Sequence, residues 1–308
     1  MLDVFSENLP QKTHGTGVSH SVFHTLAYAD VFDYPLTVSE VYRYLTSVDA
    51  SLEEVTLTLT DETLFSKIDD YYTLRGREGI VETRRRRAEV ADRLWLKATR
   101  YGQIIASLPF VRMVAVTGSL SMNNVEEGKD IDFMIVTAPQ HLWTCRAFTL
   151  VLARLAKFEG VDLCPNYLIT TNALAIDEHS LYVAHELAQM IPLSGREIYG
   201  EMCRLNDWMA DYLPHSLMVA ELPKGVKPVY QPSWTQSVLE KLLRLPFFNW
   251  FEKWEMDRKI KRLSCEQSSS LESHFTADVC KGHIDRHGES VVTALAVRME
   301  KATHPQAT

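Results

Sequence analysis

The chain has 308 residues, 46% of them hydrophobic and 10% aromatic, enough apolar material to bury more than one core. A formal net charge of -8 excludes a protein held on nucleic acid by general positive charge, although a local basic face stays open. Its five cysteines, Cys145, Cys164, Cys203, Cys265 and Cys280, show no CxxC or Cys/His ligand spacing. They fit a reducing cytoplasm rather than a disulfide framework or a zinc site. No run approaches about 20 uninterrupted apolar residues, so a soluble, cytoplasmic protein without a membrane span is expected.

Residues 1–17 are polar and read as a loose tail. HSVFHTLAYADVF then has the spacing of an amphipathic helix that stops near DYPLT, where Thr37 is placed to cap a second helix, VSEVYRYLTS. A third begins at Ser51, with Glu54 at capping-box spacing. In FSKIDDYYTLRG, two β-prone runs flank Asp69-Asp70 as in a hairpin. Over residues 18–78 this order of helices and hairpin resembles a winged helix, a helix-turn-helix variant. The resemblance implies DNA reading by the third helix and the hairpin. That helix, however, carries Glu53, Glu54, Asp61 and Glu62 with no Lys or Arg between Ser51 and Phe65, and acids repel phosphates. A packing or protein-contact module is expected instead, and the sequence argues against DNA as a partner.

Residues 79–107 read as one connecting helix. Arg84 to Arg87 spread their guanidinium groups around more than half of its circumference. A solvated surface is the expectation for them, and a phosphate or acidic-substrate contact is the alternative.

From residue 111 the pattern becomes β-α-β. VRMVAVT is an apolar strand, GSLSMNN a turn opening a short helix, and IDFMIVTA a second strand; LWTCRAFTLVLARLAKF is a helix and GVDLCPNYLIT a third strand. Alternation along the second strand puts Asp130, Asp132 and Met134 on one face, with Ile131, Phe133 and Ile135 on the other. Two such carboxylates side by side are costly without a cation between them. Magnesium, a hard ion that joins one or two carboxylates to substrate phosphates, suits them. Gly118 permits a tight turn, and Ser119 with the first amides of the short helix can hold phosphate oxygens.

Gly118-Ser119, a gap of ten residues, then Asp130-Ile131-Asp132 between apolar strands resembles the signature of nucleotidyltransferases of the DNA polymerase β superfamily. The match covers residues 108–172 only. It implies an α/β (α+β) domain with a mixed sheet and flanking helices. It also implies transfer of a nucleoside monophosphate (NMP) from a nucleoside triphosphate (NTP) to a small-molecule or protein acceptor, with pyrophosphate leaving. By the same resemblance Asp130 and Asp132 are catalytic ligands of Mg2+ or Mn2+, Gly118 and Ser119 bind the triphosphate, and a third carboxylate acts as base. Asp162 is the candidate for that base; a shifted register would place Asn166 opposite the acids and leave none. Lys129 is a candidate phosphate contact. The rival reading is a catalytically inactive nucleotide-sensing or DNA-binding regulator.

AHELAQM lacks the second histidine of a zinc-protease HExxH, since Gln189 stands there. His185 and Glu186 instead fall on a helix, SLYVAHELAQMIPL, that packs over the sheet and borders an acceptor pocket. SGREIYGEMCRLNDWMADYL reads as a further helix. Residues 108–215 thus form the expected catalytic domain with its accompanying helices, and residues 216–308 a linker and a helical C-terminal region. The aromatic run around Trp250 and Trp254 is expected to pack on the core or on a second copy, because Glu240, Glu252, Glu255 and Asp257 oppose an anionic membrane surface.

Overall fold

The computed structural model describes residues 16–216, 234–244, 246–266, 274–281 and 287–303. The expected N-terminal tail up to residue 15, the linker of 217–233 and the polar loop of 267–273 lie outside the described residues. The chain is a mixed α/β protein with two sheets.

In the N-terminal module, α1 (Thr16–Asp30) is followed by β1 (Leu36–Thr37), α2 (Val38–Arg43) and α3 (Leu52–Thr58). Thr37 with Glu40, and Ser51 with Glu54, close reciprocal capping boxes on α2 and α3, so two otherwise orphaned amides are satisfied at each start. The hairpin of β2 (Phe65–Ile68) and β3 (Tyr71–Leu74) turns through Asp69 at φ 52°. β1 pairs with β3, giving an antiparallel sheet of order β1-β3-β2. Two residues are too few to leave a period in sequence, which is why β1 was not expected.

The connecting helix α4 spans Ile80–Ala106. Two of its arginines are ties and not the solvated surface expected of them. Arg84 donates to both oxygens of Glu40 at 2.8 and 2.7 Å and to the Pro35 carbonyl. Its guanidinium lies 4.2 Å from the Tyr34 ring centroid and 4.6 Å from that of Tyr71. Arg87 reaches the Phe32 carbonyl at 2.9 Å, Asn124 at 3.2 Å and Glu126 at 2.5 Å. A flat, weakly hydrated cation with several donors suits such half-buried junctions. Arg86 is exposed.

The second sheet carries the expected strand–turn–strand order: β4 (Val111–Val116), α5 (Gly118–Ser121), β5 (Ile131–Thr137), α6 (Leu142–Phe158) and β6 (Leu163–Thr170). β4 runs antiparallel to β5, and β5 parallel to β6. The single helix expected over 180–193 is in fact α7 (Leu181–Gln189) followed by a buried strand, β7 (Ile191–Ser194), antiparallel to β4. Pro192 has no amide to continue a helix, and a four-residue apolar run has no readable period. Gly195 ends β7 at φ 70°, where a Cβ would lie 2.2 Å from the Arg112 carbonyl oxygen.

After α8 (Arg196–Leu205) and α9 (Met209–Tyr212), the C-terminal region contributes α10 (Trp234–Leu243), α11 (Pro246–Glu266), β8 (His274–Phe275), β9 (Val279–Lys281) and α12 (His287–Thr303). The expectation of a purely helical region is therefore corrected. β9 pairs antiparallel with β6 and completes the order β7-β4-β5-β6-β9-β8. Pro246 starts α11, the one helical position where a missing amide costs nothing.

Ile131, Phe133 and Ile135 of β5 enter one core with residues of α4 and α6, whereas Met134 and Val136 enter another with residues of α7, α8 and α9. Each fully buried side chain of this size contributes about 1.5–3 kcal/mol. The alternation read from sequence thus holds, and Asp132 falls on the face that α7 covers. α11 packs on α6, where Glu252 accepts from the first-turn amides of Trp143 and Thr144 at 2.8 and 2.6 Å. At the far side α12 is tied to α1: buried Asp30 accepts from Arg77 and Arg298, each at 2.6 Å. No helix among the described residues is long and apolar enough to cross a membrane.

Candidate active site

A cavity of about 420 Å³ opens between the six-stranded sheet and the N-terminal module. Its floor holds Gly118, Ser119, Lys129, Asp130, Asp132 and Asn166; α7 contributes Tyr182, His185, Glu186 and Gln189; the N-terminal module supplies Tyr28, Phe32, Tyr34 and Tyr44. The volume is that of a small-molecule site.

The floor is built by the turn after β4. Gly118 stands at φ 64°, and a Cβ on it would lie 2.5 Å from Asp132 Oδ2. Glycine is required there both by the backbone and by the carboxylate packed against it. The Thr117 amide donates to the Asp132 carbonyl at 3.1 Å, and Ser121 Oγ donates to the Gly118 carbonyl at 2.8 Å. These bonds hold the turn against β5 and leave Ser119 exposed toward the cavity.

The register of β6 decides which side chains join the acids. Asp132 pairs with Cys164, but the next pair is Met134 with Tyr167, so β6 carries one extra residue between them. Pro165, which has no ladder donor, sits in this bulge. Beside it, Asn166 Nδ2 donates to Asp132 Oδ1 at 2.9 Å. The Cys164 thiol is within hydrogen-bond reach of both Asp130 and Asp132. Ligand atoms of Asp130, Asp132 and Cys164 all lie within 4.8 Å of one another. Asp162, the expected third carboxylate, is elsewhere: it is exposed, pairs with Lys157 at 3.0 Å, and does not line the cavity. It precedes β6, and its side chain faces solvent. Gly118, Ser119, Lys129, Asp130 and Asp132 are brought together; Asp162 is not.

The electrostatics are unusual for carboxylates. Burial first, then Asp130, then Glu186 push Asp132 up to about 7, against weaker pulls from Cys164 and Lys129. Burial also raises Glu186 to about 7, although Lys281 and a hydrogen bond with Tyr182 oppose it. Among the described residues no arginine lines the cavity. His185 is lowered to about 4 by burial, so it is neutral at pH 7. Its Nδ1 is 2.9 Å from the Leu181 carbonyl, and its ring stacks on Tyr28 with centroids 3.9 Å apart. The residue pair placed by sequence at the border of a pocket thus divides its work: His185 packs α7 onto the N-terminal module, and Glu186 supplies the cavity's third carboxylate.

Sequence reading missed the aromatic wall. Tyr28, Phe32 and Tyr44 look like ordinary core residues of small helices, and only the docking of the two modules reveals their common cavity. For a divalent cation the donor set fits. Two carboxylates converge, Asn166 fixes the orientation of one, and the glycine leaves room that any side chain would fill. Comparison of the chain with protein-family models, with curated proteins and with solved structures returned no match.

Proposed function

We propose that the chain is a metal-dependent nucleotidyltransferase that moves an NMP group from an NTP to a small-molecule acceptor. The observation that carries this reading is the contact of the Gly118 turn with Asp132, because a turn suited to phosphate and a pair of acids suited to a metal then share one cavity floor. Asp130 and Asp132 would hold Mg2+ or Mn2+. When bound, such an ion withdraws charge from the phosphates and from the leaving pyrophosphate.

This chain's own groups do the rest. The Ser119 hydroxyl and the neighbouring amides bind triphosphate oxygens, and Lys129 adds positive charge on the same floor. The acceptor oxygen forms a bond to the α-phosphorus while the bond from that phosphorus to the bridging oxygen breaks. Pyrophosphate leaves, and the acceptor's proton passes to Glu186, whose basicity near 7 suits a general base. The N-terminal module resembles a winged helix in the order of its elements, and we read it as a wall of the acceptor site and not as a DNA reader. Two observations support this: Tyr28, Phe32 and Tyr44 face the cavity, and α3 exposes Glu53 and Glu54. A reducing cytoplasm is the compartment proposed for such an enzyme.

The test is incubation of the full chain with each labelled NTP, a divalent cation and a cell extract, followed by pyrophosphate assay and mass spectrometry for an added NMP. Pyrophosphate release that is lost in Asp132→Asn is expected. Salt-sensitive binding to a defined DNA duplex, with no turnover of any NTP, would favour the regulator.

A further inference from the structure

We propose that Cys164 is the third protein ligand of the cation held by Asp130 and Asp132, so that the site selects a zinc-class divalent ion, Zn2+ or Co2+, over Mg2+. The inference rests on the metal pair of the function proposed above and adds to it a ligand and a change of preferred ion.

Its basis is the register of β6. The strand beside the two acids is where a third carboxylate is needed to complete an all-oxygen site. Here that level of the sheet is occupied by a thiol, because Cys164 is the parallel partner of Asp132. Asp162 is exposed, pairs with Lys157 at 3.0 Å and does not join the cluster of Asp130, Asp132 and Cys164. The bulge at Pro165 then aims Asn166 at Asp132 as well, where its amide donates to Oδ1 and leaves Oδ2 to point along the face shared with Gly118. A donor that fixes one oxygen of a carboxylate while the other stays available is the arrangement found around bound metals.

The thiol and the two carboxylates already lie within 4.8 Å of one another, whereas two ligands on one tetrahedral zinc stand about 3.5 Å apart. Small side-chain rotations close that gap. On coordination the Cys164 thiol loses its proton to solvent, and the thiolate, with two carboxylates, makes a set of one sulfur and two oxygens with an open fourth position for a phosphate oxygen. Hard Mg2+ gains little from sulfur, and zinc-class ions gain much.

The experiment is titration of the metal-free full chain with Co2+, followed by absorption. Wild type is expected to develop the intense near-ultraviolet band of thiolate-to-cobalt charge transfer, and about a 100-fold excess of Mg2+ should fail to remove it. Cys164→Ser should lose the band and bind Co2+ at least about 10-fold more weakly, whereas Cys203→Ser and Cys265→Ser should keep it. Cys164→Asp, which makes the set all-oxygen, should lose the band and gain affinity for Mg2+. A wild-type protein without the band, or a band that survives in both Cys164 variants, overturns the proposal. Transfer activity is not read in this titration. A band without pyrophosphate release would sustain the ligand and remove the transferase reading, and release in Mg2+ without a band would do the reverse.

Discussion

Glu40 in the N-terminal module and Asp132 on the cavity floor are both carboxylates largely withdrawn from water, but one is met by an arginine and the other by further acids. Burial alone raises both. Around Glu40, hydrogen bonds from Arg84 and the attraction of its charge outweigh burial and hold the carboxyl below the usual range. Around Asp132, the neighbours are Asp130 and Glu186, and the carboxyl rises to about 7. Asp30 is likewise paired within the chain, with Arg77 and Arg298, whereas burial raises Glu186 to about 7 against the opposing pull of Lys281. The contrast separates acids that fasten the fold through an arginine from acids whose charge the surroundings disfavour, and on the function proposed above the second kind are the ones that take a cation from outside.

The largest break in this comparison should come at the cavity. Asp132→Asn is expected to lower NMP transfer by about 1,000-fold, the several kcal/mol a clamped cation contributes, while circular dichroism stays unchanged. The opposite result belongs to the junction. Arg84→Met removes the cation from a buried pair and should cost about 3 kcal/mol in urea denaturation, because Glu40 is left charged and unpaired. Loss of activity there would follow loss of structure, since Tyr34, stacked on Arg84, lines the cavity.

Glu186→Gln sharpens the contrast through pH. In the folded chain Glu186 loses its proton near 7, well above its unfolded value, so the folded state binds more protons between roughly pH 4 and 7 and this group's effect on stability worsens as pH rises through that window. The glutamine variant should therefore match wild type in melting temperature at pH 5 and exceed it at pH 8. Its transfer rate should fall about 100-fold and lose the acid limb of the pH profile. The comparison with wild type at each pH is essential, because His24 and His185, both lowered to about 4, act in the other direction: stability they contribute above pH 6.5 is lost as pH falls toward 4. The smallest effect is Ser119→Ala, which should raise the NTP requirement about threefold, the net worth of one hydrogen bond.

How much of this was legible in sequence depends on the range of the signal. The caps at Thr37 and Ser51, the strand alternation around Asp132 and the turn at Gly118 are set by residues within a few positions of one another, and all could be read. Asp162 could not be placed because it falls one residue before the start of β6, outside the strand's alternation, where it pairs with Lys157. β7 and the β8–β9 hairpin were too short to show a period. Arg84 looked like a surface residue because its partners, Glu40 and Tyr34, are more than 40 positions away in sequence. Asp132 and Glu186 gave no sign of belonging together, since one lies on a strand and the other on a helix more than 50 positions on, and both line the cavity.

The central claim, that the acids of the floor, which no arginine among the described cavity residues meets, hold a cation and a nucleotide together, is tested most directly by equilibrium binding of an α,β-methylene NTP with and without divalent cation, in wild type and Asp132→Asn. The account predicts binding by wild type that requires the cation and that is lost in the variant. Cation-independent binding of equal strength by both proteins would contradict it.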